Sequence, residues 1–354
     1  MECIPRELVN QILLRLSVND LLRFKSVCKS WCSLISSASF IADHVEFNKK
    51  NHNHILAKFK DKISNDYNIS ILNHETLQVL DTHHDLPHIQ NIEAGDMEIV
   101  GSCNGVVCLC YSYSISVIIL WNPATGDTKI VPRSMGFPIT TSCRIGFGFD
   151  AGNNDYKVVR IREFYDPSCI KIEIYSLKTD SWRLVTSSDQ YVNFHFNRSE
   201  VSWDANINGM YSWLAVKIRE GRHQEKTMIS FNMNNDALIS TPLPISGINL
   251  TFSMNYLIAI DGSLAFMDDE YCIWVLGEYG VKESWTKLFT VPSLKVERPL
   301  GYWRNHKLFM ETDGKQNLFD LITQERSSAP IVKYWKMLQV ISFRHSLVPV
   351  KFSM

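Results

Sequence analysis

The stretch IILWNPATGDTKIVP, residues 118–132, sets a short run of large apolar residues, a polar turn and a second short run end to end. Runs of this length bounded by Asn, Pro, Gly and Asp read as two strands of a hairpin. Five other stretches share the grammar: ISILNHETLQVL (69–80), IEIYSLKTDSWRLV (172–185), MISFNMNNDALISTPLP (228–244), CIWVLGEYGVKESWTKLF (272–289) and NLFDLITQERSSAPI (317–331). Aligned on Ile71, Trp121, Tyr175, Phe231, Val275 and Phe319, they recur every 44 to 56 residues.

Between them lie second hairpins, each with a Gly or Asn-Gly turn feeding an apolar strand: GSCNGVVCL (101–109), IGFGFD through DYKVVRI (145–161), NGMYSWLAV (208–216), DGSLAFM (261–267) and GYWRNHKLFM (301–310). Four strands per unit at a period near 50 predict a kelch-like β-propeller of about six blades. A two-sheet β-sandwich built from the same hairpins is the competing reading, kept open by the irregular pitch and by the insertion 186–207. The two differ at the ends of the domain. A closed ring pairs HILAKF (54–59), before the first repeat, with KMLQVISF (336–343), after the last, and so removes two exposed sheet edges.

Trp121, Trp182, Trp213, Trp274, Trp285 and Trp303 recur at matching places in these hairpins. Indoles bury a large area with one N–H to satisfy, so packing between blades is expected of them, with a ligand platform as the minority reading.

Residues 4–45 have a different texture and read as three short helices, so the chain is mostly β with an N-terminal α segment. Pro5 suits a first helical position. Leu8, Ile12, Leu13 and Leu16 mark one face, and Asn19 is the expected N-cap of a second helix running from Asp20 to about Leu34. In that helix Phe24, Val27, Cys28 and Trp31 repeat at i, i+3, i+4 and i+7. About 40 residues cannot bury this many large side chains among themselves. The surplus covers either the β domain or a partner.

The chain has 354 residues, 45% apolar and 21% charged, with a formal net charge of −1. The first 45 residues hold five Lys/Arg against four Asp/Glu, so neither part carries the basic stripe of a nucleic-acid binder. Nine cysteines, an odd number without CxxC, read as reduced and mostly buried thiols, which fits a cytoplasmic or nuclear location. Arg6, Glu7 and Arg15 interrupt any signal-peptide pattern, and the apolar run Val117–Trp121 is far short of a membrane helix.

No nucleophile elbow, P-loop, HExxH or dinucleotide fingerprint is present. DTHHDLPH (81–88) invites a metal reading, but no further Cys or His sits at ligand spacing. No cofactor or metal is expected, and a propeller enzyme would need a constellation in the central channel.

The front of the chain, IPRELVNQILLRLSVNDLLRFKSVCKSWCSLISSASF, closely resembles the plant F-box, departing from it at Ile4, where Leu is usual, and at Ser17, where Pro is usual. The resemblance implies an F-box over 1–45 whose apolar face, Ile4, Pro5, Leu8, Ile12, Leu13, Leu16, Leu21, Leu22, Val27, Cys28, Trp31 and Leu34, docks on the Skp adaptor of a cullin–RING ubiquitin ligase. Residues 46–354 resemble the F-box-associated interaction domain of plants, through GSCNGVVCL, LWNPATGDTKIVP, EIYSLKTDSWR and IWVLGEYGVKESWTKL. The last two, with RPLGYWRNHKLFM, look closest to S-locus F-box proteins, pollen receptors that recognise non-self S-ribonucleases for ubiquitination. Receptors of the same architecture act on immune receptors and other targets.

The resemblance implies a non-catalytic receptor with no membrane or nucleic-acid partner. Its substrate is a protein gripped by loops on one face. A glycan-binding receptor using exposed Trp is a further alternative. The candidate loops are 83–98, 162–169, 187–200 and MDDEY (267–271), with Glu93, Asp96, Glu98, Asp166, Asp268, Asp269 and Glu270 as the acidic set that would attract a basic partner.

Overall fold

The computed structural model describes residues 5–51, 54–61, 67–83, 97–111, 117–134, 142–163, 170–185, 194–196, 206–218, 224–245, 255–292, 296–312, 315–328 and 335–351. Four helices come first: α1 (Arg6–Leu13), α2 (Val18–Phe24), α3 (Lys29–Ile35) and α4 (Ala38–Asn51). The single helix expected over Asp20–Leu34 is therefore two. Ser26 turns its hydroxyl back onto the Arg23 carbonyl at 2.6 Å, and Cys28 is extended with φ −159° and ψ 160°. A serine hydroxyl that satisfies a late carbonyl competes with continued helix. The N-cap of α2 is Ser17 rather than Asn19: its Oγ accepts the Asp20 N–H at 3.2 Å. Serine in place of proline thus supplies a cap where the rigid turn is lost. α4 continues six residues beyond residue 45, the expected end of the helical segment.

Six sheets follow. Blade 2 is β4 (Met97–Cys103), β5 (Val106–Tyr111), β6 (Val117–Trp121) and β7 (Thr128–Ile130). Blade 3 is β8 (Ser142–Asp150), β9 (Asp155–Glu163), β10 (Ile170–Ser176) and β11 (Ser181–Val185). In blade 4, β14 (Met210–Ile218), β15 (Gln224–Asn232) and β16 (Ala237–Pro242) are preceded by two short pieces, β12 (Phe194–His195) and β13 (Asn206–Ile207), which both pair with β14. Blade 5 is β17 (Tyr256–Ile260), β18 (Ser263–Met267), β19 (Cys272–Leu276) and β20 (Trp285–Thr290). Blade 6 is β21 (Val296–Tyr302), β22 (Lys307–Thr312), β23 (Lys315–Asp320) and β24 (Arg326–Ser328). Blade 1 joins both ends of the domain: β25 (Trp335–Phe343) pairs with β1 (His54–Asp61), followed by β2 (Tyr67–Asn73) and β3 (Val79–His83).

The register His54↔Phe343 through Asp61↔Trp335 is the pairing expected of a closed ring, and it excludes the sandwich. Every residue used to align the repeats sits in the third strand of its blade. The Asn-Gly and Asp-Gly pairs at 104–105, 208–209 and 261–262 all take positive φ, as two-residue hairpin turns between twisted strands require.

Side chains link the blades in sequence around the ring. Gln339 makes a two-bond amide pair with the Ile99 backbone, at 2.7 and 3.2 Å, between blades 1 and 2. The Trp182 indole donates to Pro132 O (2.6 Å, blade 3 to 2), Trp213 to Ile145 O (3.2 Å, blade 4 to 3) and Trp285 to Pro242 O (2.9 Å, blade 5 to 4). Tyr302 donates to Asp261 (2.8 Å, blade 6 to 5), and Trp303 to His74 O (2.6 Å, blade 6 to 1). Trp274 instead serves a turn within blade 5. Trp182, Trp213, Trp285 and Trp303 therefore serve as links between blades.

Histidines sit close to the ring closure. His345 packs edge-on against His54 with centroids 4.6 Å apart and against Phe343 at 5.3 Å. Burial pushes the His345 imidazole below its ordinary value of 6.5, Asp81 pulls it back up, and His83 pushes it down. Burial and Arg304 likewise lower His74. The unfolded chain then binds protons that the folded ring does not. Stability is complete above pH 6.5 and is lost progressively as the pH falls below it. The denaturant midpoint is expected to be lower at about pH 5.5 than at about pH 7.5, with His345→Gln narrowing the difference. A midpoint independent of pH over that range would contradict this.

Candidate functional site

Antiparallel strands send their connections to alternate rims. The connections β4–β5, β6–β7 and their equivalents share one rim, and those joining second to third strands, or one blade to the next, share the other. The helices dock on the first rim: Leu347, just past β25, and Ala124, in the β6–β7 turn, pack with the helical core of Leu13, Val18, Leu21, Ile35 and Phe40. The strands that flank the four candidate recognition loops (β3 and β4, β9 and β10, β11, and β18 and β19) have their loop ends at the opposite rim. Of the loops themselves, residues 84–96, 164–169, 187–193 and 197–200 lie outside the described residues.

On the helices, Leu8 (51% exposed), Ile12 (54%) and Val27 (60%) present large apolar side chains to solvent. Pro5 and Cys28 are exposed beside them in sequence. A hydrogen bond with Ser30, Sγ to Oγ 3.1 Å, draws the Cys28 thiol below its usual range. Leu16, Leu22, Trp31 and Leu34 are half-buried, packed on the helical core, and Phe24 tilts against Trp31 with centroids 5.4 Å apart. Leu13 and Leu21 correct the sequence expectation: both are fully buried, filling the space between helices rather than facing outward. The periodicity marks them together with Leu8 and Ile12 because one apolar stripe serves both the core and the surface. Ile4 lies outside the described residues.

Of the acidic set, Glu98 is exposed on β4, and Asp269 and Glu270 are exposed in the β18–β19 turn. Glu93, Asp96 and Asp166 lie outside the described residues. Asp268 is a correction. It is 2% exposed, and its carboxylate accepts the N–H groups of Glu270 (3.0 Å) and Cys272 (2.8 Å) and the Trp274 indole (3.0 Å). An aspartate that satisfies its own turn in this way carries little charge to the surface. Asp268→Ala is expected to cost about 2–3 kcal/mol of stability, because it strands buried donors. Asp269→Asn is expected to change stability by less than about 0.5 kcal/mol. Equal midpoints for the two variants in urea unfolding would contradict the assignment.

Among the described residues no group of three or more His, Cys, Asp or Glu is placed to hold a metal ion. Of the DTHHDLPH segment, Asp81, Thr82 and His83 lie in β3, and the remainder falls outside the described residues. His83 stacks edge-on against Trp121 with centroids 4.8 Å apart. A groove of about 450 Å³ lies between blades 2 and 3, lined by Pro132, Arg133, Glu173 and Trp182 among others. Among the described residues no helix is long and apolar enough to cross a membrane.

The chain is thus a small helical module with an exposed apolar face, docked on one rim of a closed six-bladed ring. Residues 1–42 match the F-box domain and residues 54–346 match the F-box associated beta propeller domain, and the chain belongs to that family of F-box proteins. It is 31% identical over 318 residues to the F-box/kelch-repeat protein At3g23880 of Arabidopsis thaliana, covering 84% of this chain and 82% of the relative. It is 27% identical over 345 residues to the F-box protein CPR1 of the same plant, covering 91% and 80%.

Proposed function

We propose that the chain is the substrate-recognition subunit of a Skp–cullin–F-box ubiquitin ligase, with 1–45 as the adaptor-binding segment and 46–354 as the substrate-binding domain. The observation that carries this is the exposed Leu8, Ile12 and Val27 on a matched F-box whose Leu13, Leu16, Leu21, Leu22, Trp31 and Leu34 already pack in its own core. The role is non-catalytic. Fixing substrate lysines near ubiquitin held elsewhere raises their effective concentration, so no acid, base or nucleophile is required of this chain. Such a ligase works in the cytoplasm or nucleus. Pull-down with a recombinant Skp-type adaptor tests it, and a chain that does not bind overturns it.

The substrate reading is an S-ribonuclease held at the loop rim, as the resemblance to S-locus F-box proteins implies. Basic partners would meet Glu98, Asp269 and Glu270 there. Changing these three to Gln, Asn and Gln is expected to slow association about tenfold at low salt and much less at high salt, since such charges act mainly on encounter. Binding across an allelic panel of S-ribonucleases decides it. If no member binds, the partner is another cytosolic protein, such as an immune receptor, and co-purification from native tissue identifies it.

A further inference from the structure

The segment after β25 belongs neither to a blade nor to a helix. Residues 344–351 leave blade 1 at the docking rim and cross beneath blade 2, and successive side chains face opposite ways. Leu347, 3% exposed, enters the helical core. Val348 and Val350 enter the main propeller core, against which Ile41 and Val45 of α4 also pack.

Asn122, fully buried at the start of the β6–β7 turn, holds this segment by its backbone. Its Nδ2 donates to Ser346 O at 3.0 Å and to Val348 O at 2.8 Å, and its Oδ1 accepts the Ala124 N–H at 3.0 Å. Gly105, in the β4–β5 turn, lies so close to Ser346 and to the Arg344 carbonyl that a Cβ there would collide with both. The helices are tied in by side-chain bonds. Asn48 Nδ2 donates to His44 Nδ1 at 3.2 Å, and the tautomer this selects lets His44 Nε2 donate to Leu16 O at 3.1 Å. An unbroken path of buried contacts thus runs from the α1–α2 turn through α4 and the tail to blade 2. Residues 43–53 and 347–354, which include much of this junction, lie outside both matched ranges.

We infer that the C-terminal tail is a clamp that fixes the F-box helices at one orientation to the propeller, with Asn122 and Leu347 as its positioning residues. Building on the ligase reading above, the clamp sets the distance and angle between the adaptor face and the substrate rim, and hence which lysines reach ubiquitin. Asn122 acts from the propeller side, by hydrogen bonds to the tail backbone, and Leu347 acts by apolar packing in the helical core.

Hydrogen exchange on the full chain tests the clamp. In both Asn122→Ala and Leu347→Ala, amides of α4 and of residues 345–350 are expected to exchange about tenfold faster or more, with blades 4 and 5 unchanged. Unchanged α4 exchange in both variants, or an equal rise in every blade, would overturn the clamp. If Asn122→Ala does not fold, Leu347→Ala decides alone by the same criterion. A second readout uses the reconstituted ligase and maps the chain's own ubiquitinated lysines. The variants are expected to bind adaptor like the parent while the modified lysines change, and an unchanged lysine pattern would refute the positioning role. A parent chain that binds no adaptor removes the ligase reading, while the exchange data still judge the clamp.

Discussion

Leu8→Asp combined with Ile12→Asp is expected to abolish capture by a Skp-type adaptor and to leave the unfolding of the propeller unchanged. Both side chains are about half exposed, so charging them costs the folded chain little. At an interface they would be desolvated. Truncated apolar anchors commonly lose about 2–4 kcal/mol each, and a buried unpaired carboxylate adds to that, so the dissociation constant should rise by about a thousandfold or more. Leu16 and Trp31 are poorer choices, because both pack on the helical core and their loss would confuse docking with folding. Isothermal titration with recombinant adaptor, alongside calorimetric unfolding of the free chain, separates the two effects. Undiminished binding would remove α1 from the interface, and collapse of the free chain would show that this face stabilises the fold instead.

The propeller was legible in the sequence because its signal is local and repeated. Each third strand carries two or three large apolar residues before a polar turn, and each Asn-Gly or Asp-Gly pair demands positive φ, so neither feature depends on distant contacts. Closure was legible too, since strand-like runs left over at the two ends have few other partners. The helical boundaries were less so. At the break before Cys28 the Ser26 hydroxyl bonds the Arg23 carbonyl, a local choice that apolar periodicity does not report. The sites divide in the same way. Periodicity found the apolar stripe, but the split between Leu8 and Ile12 outside and Leu13 and Leu21 inside is decided by packing among four helices and a tail some 300 residues away. Asp268 looks like its neighbours Asp269 and Glu270 in composition, and only the turn geometry around Trp274 shows that its charge is spent internally.

Gly301→Ala is expected to damage the ring more than any other single methyl addition considered. Gly301 lies in β21 at a bulge between Pro299 and itself, with φ +149°, where the first strand of blade 6 meets β25. A Cβ there would meet the Val340 carbonyl oxygen and side chain well inside van der Waals contact, and the obstructing atoms are backbone that cannot swing away. Val340 is paired to Ala57 across β25 and β1, so relief requires moving the strand that closes the ring. The unfavourable φ and the clash together should cost about 3 kcal/mol or more, in the range reserved for strained backbone and overpacked cores. Gly262→Ala is the control: φ is +79°, but nothing lies within 4 Å of the added methyl. It should cost only the left-handed penalty of about 1–2 kcal/mol. The difference between the two variants in urea midpoint therefore isolates the closure contact from backbone strain. Equal losses would mean that β25 yields easily at Val340. A larger loss for Gly301→Ala, with faster hydrogen exchange confined to β1, β25 and β21, would place the limiting contact of the propeller at the joint between its last blade and its first.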